Sequence, residues 1–166
     1  ERLSHGFDGD VEGFISFSLS VQNRRKSRAG LALENHLEIM FRECGIRYSR
    51  TPVTENKSKP DFIFPGENEY HNRNFDSLRL TMLGVKSSCK DRWRQVLAEA
   101  DRIEKKHLLT LEAAISKGQT DEMQSKNLQL VLPRILHSTY SEEQQNWLMD
   151  VTAFTELVMK RQIGHG

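Results

Sequence analysis

Apolar residues recur along the chain with two distinct periods. Leu33, Leu37, Met40, Phe41 and Cys44 lie at helical spacing in a run that starts near Arg25 and closes at Gly45. Asp61-Phe62-Ile63-Phe64 is short, aromatic and β-branched, and Pro65-Gly66 stops it, so a strand and a turn are predicted there. From Leu78 to Lys86 the period is two, with Leu78, Leu80, Met82, Gly84 and Lys86 on one face and Arg79, Thr81, Leu83 and Val85 on the other. A helix is predicted next. Ser88 and Asp91 have the spacing of a capping box, and Trp93, Val96, Leu97, Ala100 and Ile103 form its apolar stripe. Strands are predicted at 107–111 and 128–132, and a last helix from Ser141 to Met159, opened by a second capping box of Ser141 and Gln144. Residues 51–60 read as a polar loop or short edge strand and 67–75 as a polar loop, while Phe7, Phe14, Ile15 and Phe17 should fold residues 1–20 onto the core. This order implies an α/β domain with a central mixed β-sheet flanked by helices.

Composition narrows the class without deciding it. The 166 residues suit a single domain over 1–166, and 37% hydrophobic with 28% charged residues excludes a disordered chain. No apolar run approaches the roughly 18 residues of a membrane span, and no secretory leader is visible. A chain that opens on Glu1 is expected to be a piece of a longer protein. Cys44 and Cys89 form no CxxC pair, which fits a reducing, cytoplasmic setting better than a disulfide framework. The six histidines include no HExxH pair. A net charge of +1 makes no case for nucleic acid, but its distribution does: Arg24, Arg25, Lys26 and Arg28 cluster, as do Lys86, Lys90, Arg92 and Arg94. Solvated helix faces would produce the same clusters.

The sharper chemistry lies at two strand ends. Asp61 opens one predicted strand and Lys86 closes the next, where an ammonium on an apolar face is costly unless an anion meets it. Phosphodiester hydrolysis near neutral pH uses a divalent ion held by carboxylates, with a cation or base near the attacking water. Mg²⁺ needs only one or two carboxylates and a carbonyl besides its waters. Asp61, the Val85 carbonyl and Lys86 supply such parts, although on spacing alone a structural salt bridge explains the pair better. Tyr70 offers a rival, a hydroxyl that attacks the phosphodiester with Arg24 as activator, but it accounts for neither Asp61 nor Lys86.

Asp61 followed by Val85-Lys86 resembles the PD-(D/E)xK nuclease motif with one departure: the second acid should stand two residues before the lysine, where Gly84 is found. Glu99, at the margin of the helix stripe, is the leading substitute; Glu104 is the fallback, and Glu34 on the first helix is a further carboxylate. Val85-Lys86-Ser87-Ser88-Cys89-Lys90-Asp91-Arg92-Trp93-Arg94-Gln95-Val96 then resembles the signature of restriction endonucleases that read CC…GG sites, a group whose second acid moved from strand to helix. From about Arg24 onward the chain looks like the EcoRII-type catalytic domains, which cut CCWGG (W is A or T). The resemblance implies a restriction-endonuclease-like fold and a Mg²⁺-dependent type II enzyme of a prokaryotic restriction–modification system, cutting double-stranded DNA as a homodimer. It also implies an N-terminal effector domain in cis, outside these residues. The implied active site is Asp61, Lys86 and Glu99, with Asp61, Val85 and Glu99 on the metal and Glu34 in support. Lys90, Asp91 and Arg92 are the implied base readers, and Arg24 and Arg28 suit the DNA backbone. That reader agrees with elementary recognition chemistry, since cations donate to guanine O6 and N7 and an acid accepts from cytosine N4. A DNA-binding module without catalysis, or a nuclease acting on RNA or damaged DNA, remains the alternative.

Overall fold

The computed structural model describes residues 11–13, 15, 29–89 and 92–163. Its first long element is α1 (Ala29–Glu43), ended as expected by Gly45, whose φ of 72° suits a residue without a side chain. There the Ile46 amide donates to the Phe41 carbonyl at 2.9 Å and the Gly45 amide to Arg42 at 3.0 Å, closing the helix. Five strands follow: β1 (Ser49–Arg50), β2 (Phe62–Phe64), β3 (Thr81–Lys86), β4 (Lys106–Thr110) and β5 (Leu128–Val131). They form one sheet in sequential order. β1, β2 and β3 pair antiparallel, β4 and β5 continue in parallel, and the sheet is therefore mixed as expected.

The period-2 pattern of β3 sorts two cores. Leu83 and Val85 join Phe62, Phe64 and Leu109 under α1 and under α5 (Val151–Ile163). On the other face, Met82, Ile63, Leu108 and Leu130 pack with Trp93 and Val96, and with Met123 of α3 (Lys117–Ser125). Val11 and Ile15 are buried in the α1-side core, so this part of the N-terminal segment packs as predicted; Phe7, Phe14 and Phe17 lie outside the described residues.

Four expectations need correction. The strand after residue 77 starts only at Thr81, because the Asp76 carboxylate accepts from the Leu78 amide at 3.0 Å and turns 77–79 into a 3-10 helix. Leu78, assigned to the buried face, is instead 81% exposed. The polar stretch 67–75 contains α2 (Glu67–His71), which buries Tyr70. The C-terminal helix is two: α4 (Glu142–Trp147), with the predicted Ser141–Gln144 capping box, and α5. Between them Met149 bridges to Val131, its amide donating to Leu130 at 3.1 Å and its carbonyl accepting from Leu132 at 2.9 Å.

The fourth correction bears on the site. Arg92–Ala98 is a 3-10 helix rather than part of a long α-helix, and Ala100 ends it at φ 54°. Three residues per turn put Trp93, Val96 and Glu99 in one line along it. The Glu99 amide donates to the Val96 carbonyl at 3.1 Å and continues that i→i+3 pattern. The line lies tight against the sheet: a Cβ at Gly84 would meet Val96 Cγ2 at 3.0 Å, Val96 Cγ1 at 3.4 Å and Leu108 Cδ1 at 3.5 Å. Gly84→Glu is therefore expected to destabilise the fold by about 1–3 kcal/mol through overpacking, and adding Val96→Ala should recover part of the loss in urea or thermal unfolding.

Candidate active site

Asp61 stands immediately before β2, and the pairings Phe62–Leu83 and Ile63–Met82 carry it to a place opposite Gly84. Side chains directly across a strand pair share a face. Asp61 and Lys86 thus lie on the face that carries the 3-10 helix. Asp61 Oδ2 accepts from the Val85 amide at 2.6 Å, which anchors the carboxylate at the end of β3. Val85 therefore meets Asp61 through its N–H, whereas its expected contribution was its carbonyl. Lys86 is half-buried, and its ammonium makes no hydrogen bond or ion pair shorter than 4 Å among the described residues.

Glu99 enters the same electrostatic neighbourhood. Burial pushes its carboxyl up, repulsion from Asp61 adds to this, and Lys86 and Lys106 pull the other way. Asp61 is also raised, by burial first, against the Val85 N–H, Lys86 and Arg50. Glu34 on α1 follows suit: burial raises it, Asp61 raises it further, and Arg50 and Lys86 oppose. The structure therefore brings Asp61, Lys86 and Glu99 together and sets Glu34 near them. Glu104, the fallback, is exposed.

Two supporting residues gave no signal in the spacing. Arg50, at the end of β1, donates to Glu34 at 3.3 Å, to Glu38 at 2.8 Å and to Asn35 at 2.8 Å, tying α1 to the sheet beside Asp61. Lys106 is buried, and its ammonium donates to the carbonyls of Ala100 at 3.1 Å and Ile103 at 2.6 Å. It pins the turn that follows Glu99. Neither role is visible without the register that sets β1 and β4 beside their neighbours.

Tyr70 does not behave as a nucleophile. Its ring is buried, its hydroxyl donates to Glu55 at 2.6 Å and accepts from the Arg102 amide at 3.1 Å, and burial raises its pKa well above the ordinary phenol value. Of the expected readers, Arg92 is exposed and donates to the Ser88 carbonyl at 2.8 Å. Lys90, Asp91, Arg24 and Arg28 lie outside the described residues.

The donor set suits a hard divalent ion, because Asp61 and Glu99 offer carboxylate oxygens that are half-buried and repel each other. Among the described residues no three acidic, histidine or cysteine side chains already converge as a metal cage.

Comparison with known proteins decides the relationship. The family model described as EcoRII C terminal matches residues 1–155. The chain belongs to the EcoRII C-terminal family. It is 48% identical over 153 residues to the type II restriction enzyme EcoRII of Escherichia coli, a match covering 92% of this chain and 38% of that enzyme. Among solved structures it resembles metal-depleted Ecl18kI in complex with uncleaved, modified DNA, at 20% identity and a TM-score of 0.70. Metal-depleted Ecl18kI with uncleaved DNA gives a TM-score of 0.69 at the same identity. Both likenesses cover 90% of this chain and 52% of the solved chain, so the protein spans about half the length of those relatives. This EcoRII C-terminal domain thus has the restriction-endonuclease-like fold. No helix among its described residues is long and apolar enough to cross a membrane.

The raised carboxyl groups predict a pH dependence. Protons that the unfolded chain releases near its ordinary values of 3.8 and 4.5 stay bound to the folded chain until higher pH. In metal-free buffer the stability contributed by this site should therefore fall as pH rises from those values through the raised ones. Asp61→Asn, which keeps an oxygen for the Val85 amide, and Glu99→Gln should each raise the melting temperature at pH 7 and flatten its pH profile. An unchanged profile in both variants would place the two carboxyls in open solvent.

Proposed function

We propose that this chain is the catalytic domain of a Mg²⁺-dependent type II restriction endonuclease that hydrolyses double-stranded DNA at CCWGG-type sites. The carrying observation is the convergence of Asp61, Lys86 and Glu99 on one sheet face, with Gly84 leaving room for the element that brings the displaced acid. The 48% identity to EcoRII and the fold shared with Ecl18kI, seen metal-depleted on uncleaved DNA, support the same reading.

Asp61 and Glu99 would hold the ion, together with the Val85 carbonyl, and Glu34 would add negative charge from α1. Bound Mg²⁺ supplies Lewis-acid polarisation of the phosphate and a lowered pKa for water. The chain's own work is positional and electrostatic. The Val85 amide and the neighbouring cations oppose the burial that raises the Asp61 carboxyl. Lys86 presents its ammonium where negative charge develops on the phosphate, in a half-buried place where that attraction is stronger than in water. Lys90, Asp91 and Arg92 begin only four residues after Lys86, which couples base reading to cutting. Two copies would each cut one strand of a near-palindromic site, as a two-fold site requires. The N-terminal effector domain in cis and a cytoplasmic location in a prokaryotic cell complete the proposal.

The test is digestion of a plasmid bearing CCWGG sites, with and without Mg²⁺, followed by sequencing of the ends. Asp61→Ala, Lys86→Ala and Glu99→Ala should each abolish cleavage while DNA binding persists. Binding at CCWGG without cleavage under any divalent ion would instead mark a recognition module. Rescue of Glu99→Ala by Gly84→Glu should need Val96→Ala as well, because Val96 fills the space. Arg92→Ala should cost about 1–3 kcal/mol of discrimination at one guanine if its contact is bidentate. A uniform loss on all sequences would make Arg92 a backbone contact.

A further inference from the structure

The segment that joins Lys86 to the proposed readers is held from behind by residues that lie outside any nuclease motif. Glu112, two residues beyond β4, is the centre of that support. Its Oε1 accepts from the Cys89 amide at 2.7 Å and from the Ser88 hydroxyl at 3.4 Å. The Glu112 backbone is itself held by two bonds, and one of its partners reaches on to the Ser87 carbonyl. Its amide donates to Thr110 Oγ1 at 3.2 Å, its carbonyl accepts from the Tyr140 hydroxyl at 2.6 Å, and Thr110 Oγ1 donates to the Ser87 carbonyl at 3.5 Å. Cys89, whose amide Glu112 holds, is fully buried, so the chain is pinned one residue before Lys90.

The other side of the reader is anchored by α3. Trp93 Nε1 donates to Gln119 Oε1 at 2.9 Å, and Arg94 Nη2 donates to Glu122 Oε1 at 2.6 Å. The positions Lys90, Asp91 and Arg92 are thus bracketed between a buried backbone anchor at Cys89 and a buried indole at Trp93. Both anchors are set by elements C-terminal to β4. A charge-assisted bond from a backbone amide to a carboxylate is short and strong, and it constrains a loop without requiring the loop to touch DNA.

We propose that Glu112 is a specificity-positioning residue: it sets the register of residues 90–92 against the base edges and against Lys86, without contacting either. This rests on the reading of Lys90–Asp91–Arg92 as the base reader. A bidentate contact to guanine tolerates little displacement, so loss of the anchor should cost discrimination while leaving the attraction to phosphates unchanged.

The test measures binding of the 166-residue chain, in Ca²⁺ so that no cleavage intervenes, to a CCWGG duplex and to a duplex with one inner G·C pair inverted. The parent should prefer the CCWGG duplex by at least about ten-fold, in line with one good bidentate contact. Glu112→Ala should lose most of that ratio with little change in affinity for the inverted duplex. Glu112→Gln keeps an acceptor for the Cys89 amide and should retain the ratio. Glu112→Asp, one methylene short of Cys89, should fall between them and serves if Glu112→Ala does not fold. A parent ratio near one overturns the base-reader assignment, and this inference with it. A parent ratio of ten or more that survives in folded Glu112→Ala or Glu112→Asp overturns the inference alone, as does an equal loss on both duplexes.

Discussion

The site depends on the close approach of Val96 to Gly84. Where a side chain would project from β3 opposite Asp61, there is only backbone, and the 3-10 helix settles into the space. Because that helix repeats every three residues, the residue that follows Val96 on the same line is Glu99. On the proposed reading, the missing acid and its replacement are therefore one structural event. A larger residue at 84 would restore a carboxylate to the strand and push away the element carrying the other. Lys106 fixes the far end of the same element, spending a buried ammonium on two carbonyls of the following turn.

Close packing brings an electrostatic cost with it. Three carboxyl groups share a partly buried region, and two of them, Glu34 and Glu99, are raised by Asp61. Arg50 and Lys86 offset this only in part, since all three acids still lie above their ordinary values. A fold with no use for such a cluster would be more stable with amides in these positions. Mutual repulsion among these carboxyl groups is what the proposed cation would relieve, and it separates this arrangement from an ordinary salt bridge between Asp61 and Lys86.

Much of this was legible in the sequence because it follows from short-range pattern. The alternation through β3 sorted Leu83 and Val85 from Met82 and Gly84, and both helix ends with a clear cap residue, Gly45 and Ser141, fell where the sequence put them. The gap at Gly84, read beside the family signature, pointed to Glu99. What the pattern could not carry was helix type. An apolar stripe at Trp93 and Val96 fits a three-residue repeat as well as a 3.6-residue one, and only packing against Gly84 chooses. Long-range partners were equally invisible. Arg50, Lys106 and Glu112 act through register and crossover, so no local spacing marks them. Leu78 and α2 failed for the opposite reason: side-chain caps and a buried tyrosine overrode what polarity implied.

The margins of the sheet carry a consequence for assembly. β1 contributes two residues and ends in Arg50, whose guanidinium is committed to α1. On the opposite margin β5 has four residues, and Met149 takes the backbone groups of Leu130 and Leu132 while Gln129 bonds the Trp147 carbonyl at 2.8 Å. Among the described residues, neither border offers a long open ladder of amides and carbonyls. Two copies meeting along these borders would have little to zip together edge to edge.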